Sequence, residues 1–238
     1  MKLGITSNSG VYANDYSIEF NGSTQYAEVD ALAGKCGVNT GTISLWAKIP
    51  TLTSSAFLFR AQSGSSSASD NILQMIYHAS SNELRMTYKG AGTTRTATIS
   101  NGNTDIEGQG WKHFVGTYDT SENEIKVYMN GVLKDTKDDQ TVTAFDAALD
   151  NCDIGRNTGS GGGFAKGEFC DLAIFDTIVS ATTLYNGGVP FDLTGMSGLK
   201  GYFKFQEGTT SIGEIVDSSG QATSGDFVNS PTYSTDTP

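Results

Sequence analysis

The chain has 238 residues; Ser, Thr and Gly supply 82 of them, and only 17% are charged, against roughly 25% in an average domain. Asp and Glu (26) outnumber Lys and Arg (15), for a formal net charge of −11. The 37% of hydrophobic residues is enough for a core and excludes wholesale disorder. The acidic balance, without any Lys/Arg cluster, argues against a nucleic-acid partner, and no apolar run approaches the roughly 18–20 residues that membrane insertion needs.

Residues 1–10 hold one Lys and no apolar segment, so no signal peptide is expected, and 1–15 read as an N-terminal arm. Period-two alternation then dominates 16–228. In Thr42–Ile49, Ile43, Leu45, Ala47 and Ile49 point one way, and Thr42, Ser44, Trp46 and Lys48 the other. The turn-rich stretch Ser63–Asp70 leads to strands expected at Ile72–His78 and Glu83–Lys89. Gly90–Thr94 and Asn101–Gly110 read as turns, and Trp111–Tyr118 as the next strand. Glu124–Asn130 alternates again; Asn130-Gly131 accepts positive φ at both central positions of a type I′ turn, so Val132–Thr136 returns antiparallel. Gly155–Gly163 is a glycine-rich connection to a strand at Gly167–Phe175. Ser180 caps a helix of one or two turns over 181–186, which Gly187-Gly188 stops. Residues 229–238 lack strand patterning and read as a C-terminal tail. Many short strands with turns every 8–12 residues predict an all-β fold, an antiparallel two-sheet jelly-roll sandwich with one short helix. The odd count of cysteines, Cys36, Cys152 and Cys170, predicts reduced, buried thiols, with a Cys152–Cys170 bridge as the alternative.

Five segments, taken in order, carry a family resemblance: SIEFNGSTQYAEVD (17–30), GTISLWAKI (41–49), WKHFVGTYDTSENEIKVYMNGVL (111–133), IGRNTGSGGGFAKGEFCDLAIFD (154–176), and 199–233, which opens LKGYFKFQEG and closes SGDFVNSPTY. Together they resemble the laminin-G-like group of the concanavalin A-like lectin/glucanase superfamily. The resemblance implies two stacked, curved antiparallel sheets, but it says much less about activity. The fold hosts lectins, glycoside hydrolases, adhesion modules and virion proteins. The glucanases' Glu-x-Asp-x-x-Glu strand is absent, and neither His78 nor His113 stands in a nucleophile elbow. Gly159–Gly163 joins predicted strands, whereas a dinucleotide loop joins a strand to a helix. No catalytic residues and no enzymatic activity are therefore expected. Relatives often hold calcium, and where the family often has Asp this chain has Asn21, Cys170 and Gln206. No cofactor is expected; calcium near Asn21 and Asp171 is the alternative.

Two residues are candidates for ligand contact. Trp46 shares a face with Thr42, Ser44 and Lys48 and so offers a platform for a sugar ring, unless that face packs under a loop. Phe164, directly after three glycines, is the better candidate for an exposed contact. Trp111 reads as a core residue and His113 as a satisfied hydrogen-bonding histidine. The expected function is that of a noncatalytic virion structural or adhesion protein, a phage capsid decoration or tail-associated protein. It would be made in the host cytoplasm and displayed on the virion surface. Its partners would be other virion proteins, copies of itself and a cell-surface glycan. The alternative is a free glycan-binding lectin or carbohydrate-binding module.

Overall fold

A computed structural model describes residues 12, 14–66, 68–208 and 213–238. Most of the expected N-terminal arm, residues 1–11 and 13, lies outside the described residues. The elements in chain order are β1 (Ser17–Asn21), β2 (Tyr26–Glu28), α1 (Asp30–Ala33), β3 (Thr40–Lys48), β4 (Ala56–Gln62), β5 (Ile72–His78), β6 (Glu83–Gly90) and β7 (Thr93–Ile99). There follow α2 (Gly102–Asp105), β8 (Trp111–Asp119), β9 (Glu124–Met129), β10 (Val132–Lys137), β11 (Asn151–Ile154), β12 (Lys166–Phe175) and α3 (Ala181–Tyr185). The chain closes with β13 (Leu199–Phe203), β14 (Glu214–Ile215), β15 (Gly225–Val228) and β16 (Thr232–Ser234).

The strands form two antiparallel sheets. One runs β10-β9-β8-β3-β12-β1-β16, with β13 also on β12; the other runs β14-β15-β2-β11-β4-β5-β6-β7. This is the expected two-sheet sandwich, and the helix expected after Ser180 is α3, whose first turn the Ser180 hydroxyl caps by accepting from the Thr183 N–H. The Asn130-Gly131 turn also forms as expected, with φ of 52° and 75° joining β9 to β10.

The alternation in β3 explains the layering. Ile43, Leu45 and Ala47 point into the sandwich and are fully buried. The opposite row would normally face water, but here Thr42, Ser44 and Trp46 do not. Residues 177–196 fold back over it, so Ala181, Leu184 and Leu193 pack with Val115, Ala173, Phe175 and Tyr202 in a second, smaller core. The central strands β3, β12 and β13 of the first sheet are thus buried on both faces over most of their length, and burial on both faces weakens the period-two signal of a strand.

Three features differ from the sequence reading. β4 is buried at nearly every position and so shows no alternation to read. β7 begins inside the stretch expected to be a turn, Gly90–Thr94. The segment expected to be a tail is paired: Ser17, Ile18 and Glu19 of β1 lie opposite Ser234, Tyr233 and Thr232 of β16. A three-residue edge strand is too short for its pattern to stand out, and backbone pairing with β1 supplies what the side chains do not. Cys36, Cys152 and Cys170 are free and buried, the latter two in different sheets.

One packing contact gives a direct test. Gly41 lies opposite Tyr118, and a Cβ at Gly41 would come within 2.4 Å of the Tyr118 hydroxyl and 2.6 Å of its ring. That hydroxyl donates to the Gly37 carbonyl at 2.6 Å, and the ring lies 4.8 Å from Tyr88. Gly41→Ala must push the ring aside and break this bond. The expected cost is about 1–3 kcal/mol, read as a lower urea midpoint at unchanged m-value.

Candidate functional site

The outer face of the first sheet carries a ladder of cross-strand pairs. Ser44 faces Val115, Trp46 faces His113, and Lys48 faces Trp111. The first two rungs lie beneath α3 and the segment that follows it; the third is not covered. On this open rung Glu168 pairs with Lys48 and Glu19 with Glu168. Trp111, Lys48, Glu168 and Glu19 therefore form one row across β8, β3, β12 and β1, because residues directly opposite in antiparallel strands share a face.

Lys48, Glu168 and Glu19 of this row line a cleft of about 420 Å³, whose walls also include Ile49, Pro50, Gly108, Gly110 and Lys166. A second cleft of about 250 Å³ adjoins it, lined by Asn21, Gly22, Thr51–Ser54, Phe164 and Lys166. The two meet at Lys166, which is exposed and, among the described residues, has no ion pair. The 49–54 loop that divides them is tied at Ile49 and Leu52. Gly108 N donates to the Ile49 carbonyl at 2.9 Å, and Leu52 N donates to the Glu107 carboxylate at 3.0 Å.

The charges on the row are paired. The Lys48 ammonium lies 2.7 Å from Glu168 and 2.5 Å from Asp236, which reaches in from beyond β16. Glu168 also accepts from the Ser234 hydroxyl at 2.6 Å. Asp236 accepts in addition from the Trp111 indole N–H at 2.7 Å. The hydrogen bonds from Lys48 and Trp111 hold the Asp236 carboxyl below its ordinary range, and Asp236 and Glu168 in turn raise Lys48.

The structure separates the sequence-predicted site residues. Trp46 is only 5% exposed, and its ring sits 4.9 Å from His113 and 5.8 Å from Tyr185 of α3, so no sugar reaches its face in this conformation. Phe164 is half-buried rather than exposed. It lies 6.2 Å from the Tyr26 ring, which is capped in turn by the Arg156 guanidinium at 3.6 Å. Its outer side lines the smaller cleft. The preceding glycine loop is a compact turn, with an Asn157–Gly162 bridge and Phe57 N donating to the Gly163 carbonyl at 2.9 Å.

Asn21 also borders the smaller cleft, but its side-chain oxygen accepts from the N–H groups of Ser23 and Thr24 and closes its own turn. Asp171 lies elsewhere, in the bulge of β12, buried beneath the hydroxyls of Tyr12 and Tyr202. Asn21 pairs with Lys166, five residues before Asp171 on the same strand and so roughly 15 Å away. The two do not converge, and no group of three His, Cys, Asp or Glu among the described residues is placed to hold a metal ion. The calcium alternative does not fit this arrangement, since a hard cation needs several oxygens together.

Sequence reasoning missed Lys48, Lys166, Trp111 and Asp236. The signal for the first and third was the strand register: Trp111 opens its strand, Lys48 closes its own, and antiparallel pairing brings those ends together. Trp111 is half-buried and packs against the core from its margin, whereas His113 is buried and, as expected, hydrogen-bonded, to the Ser44 hydroxyl at 2.8 Å.

Among solved structures, the chain is similar to a protein from Bacteroides ovatus ATCC 8483 that is described provisionally as carbohydrate binding. The identity is 16% and the TM-score 0.67, covering 92% of this chain and 59% of that one. It is also similar to the CBM40 of the Ruminococcus gnavus IT-sialidase bound to α2,3 sialyllactose (18% identity, TM-score 0.59, covering 71% of this chain and 95% of that one). A third likeness is to the heptameric SAP-like pentraxin of Limulus polyphemus (16% identity, TM-score 0.54, covering 87% and 93%). At these identities the likeness is one of fold. No curated protein matches the sequence. The Laminin_G_3 family profile, described as concanavalin A-like lectin/glucanases superfamily, matches residues 21–184, more than half of the chain. The sandwich and this match agree, and the chain belongs to the laminin-G-like family of the concanavalin A-like lectin/glucanase superfamily.

Proposed function

We propose that the protein is a noncatalytic glycan-binding module whose binding surface is the double cleft joined at Lys166. One observation carries this reading. The open end of the first sheet places Phe164 on the wall of the smaller cleft and Trp111 beside Lys48 at the margin of the larger one. Hydroxyls, an amide and two lysines lie between them. Saccharide sites combine an apolar ring face with a few fixed polar groups in this way. The two carboxylates on the row do not form an acid–nucleophile pair, because Glu168 is tied to Lys48 and Ser234 while Glu19 is exposed. Two of the relatives above are described with a carbohydrate, one as carbohydrate binding and one bound to α2,3 sialyllactose, which supports the lectin-like reading over the virion one. A phage capsid or tail setting draws no support from them.

Screening the protein on a glycan array, followed by titration calorimetry on the best saccharide, tests the proposal. Phe164→Ala is expected to weaken binding about three- to tenfold, the loss of one stacked ring, with Tm within a few degrees of the parent. Absence of saturable binding to any glycan would end this reading, and so would undiminished binding by Phe164→Ala together with Lys166→Ala.

A further inference from the structure

We infer that Lys48 and Trp111 form a carboxylate-recognition subsite at the Lys48 margin of the larger cleft, held in this conformation by the chain's own Asp236. The inference deepens the glycan-binding reading and rests on it for the identity of the natural ligand, an acidic saccharide. One carboxylate oxygen of Asp236 takes the Lys48 ammonium at 2.5 Å, and the other takes the Trp111 indole N–H at 2.7 Å. Two donors from adjacent strands thus grip the two oxygens of one carboxylate, the arrangement that fixes the orientation of a bound acid.

The backbone of Asp236 is anchored independently of its side chain. Its carbonyl accepts from the Ser17 hydroxyl at 2.7 Å, and its N–H donates to the Ser234 hydroxyl at 3.1 Å. The side chain can therefore turn away while β16 stays docked on β1. Both members of the Lys48–Asp236 pair are open to water, with side chains 37% and 47% exposed, and exposed ion pairs are weak. A ligand carboxylate entering along the cleft replaces one anion at Lys48 with another and leaves the local charge balance unchanged. Glu168 keeps its own contact with Lys48 at 2.7 Å throughout. Asp236 thus acts as a built-in competitor: neutral saccharides do not meet it, whereas acidic ones must displace it.

The test uses the indole N–H resonances of the two tryptophans, with Trp46 as the internal control beneath α3. Sodium acetate is titrated at constant ionic strength, with acetamide as the uncharged match. In Asp236→Ala the Trp111 line is expected to respond at about two- to fivefold lower acetate than in the parent. The Trp46 line should stay still, and Lys48→Met should abolish the response. A Trp111 line in Asp236→Ala that moves no more with acetate than with acetamide overturns the proposal. In parallel, 3′-sialyllactose and lactose are titrated against parent and variant. A gain for the acidic sugar alone supports the competitor role, and an equal gain for both overturns it. If neither sugar binds while the acetate response holds, the subsite stands and the choice of ligand falls. If lactose binds while acetate has no effect, the subsite falls and the glycan reading stands.

Discussion

Trp46→Ala is expected to lower the stability of the fold by about 3–5 kcal/mol, the usual range for removing a buried tryptophan. Trp46 is 5% exposed and fills the space between β3 and α3, with its ring against His113 and Tyr185. Removing it opens a cavity that a five-residue helix, itself held largely by packing on this face, cannot close by moving inward. The loss also admits water to His113, whose imidazole burial pushes down to about 3. Urea denaturation should show a midpoint far below that of the parent, with the near-UV aromatic signal reduced. The folded fraction should still bind a saccharide, because Trp46 lies one rung inward from the cleft. The opposite result, a normal midpoint with binding abolished, would make Trp46 the sugar platform and place the site beneath α3.

The contrast between rungs shows what the sequence makes legible. Alternation in β3 assigns Trp46 and Lys48 to the same face, and the structure agrees. Whether that face is wet depends on residues 177–196, more than a hundred positions later, which fold back across the first two rungs and leave the third open. Local patterning carries direction but not coverage, so the face is readable and the open rung is not. The same limit hides Asp236. Its role depends on β16 docking at the sheet edge, where three residues held by backbone bonds leave no mark in side-chain period. By contrast, the Asn130-Gly131 turn and the Ser180 cap are set by residues adjacent in the chain, and both are legible. Phe164 and Asn21 fall between these cases. Each stands out in the sequence for a different chemistry, and folding brings both to the rim of one cleft.

Asp171→Asn is expected to stabilise the protein at neutral pH and to change the shape of its stability–pH curve. The carboxyl is buried in the β12 bulge, where φ is +50° and one oxygen accepts from Tyr202 at 2.7 Å and from Tyr12, while the other has no hydrogen-bond partner among the described residues. Desolvation dominates and pushes it up to about 6, against an unfolded value of 3.8. Between those values the folded protein retains a proton that the unfolded chain has released. Stability from this group is therefore lost as pH rises from about 4 to 6, then stays low. The full loss across that window is about 3 kcal/mol at most. Asparagine keeps the oxygen that Tyr202 needs but leaves its amide in the unpartnered position, so the net gain should be about 1–3 kcal/mol above pH 6.5. Asp153, pushed up to about 6 by burial, adds a slope of the same sign in both proteins and cancels in the comparison. His113 works the other way: its folded value lies below that of the unfolded chain, so its contribution is lost as pH falls from about 6.5 toward 3. In the parent these opposing slopes partly offset one another. Without Asp171 the His113 slope is less opposed, and the variant's stability should rise more steeply with pH across this window. Thermal scans should place the variant roughly 3–10 °C above the parent at pH 7.5, with the gap closing toward pH 4. A gap of the same size at both pH values would mean that Asp171 is ionised in the folded protein throughout, held by its tyrosine hydroxyls against the cost of burial.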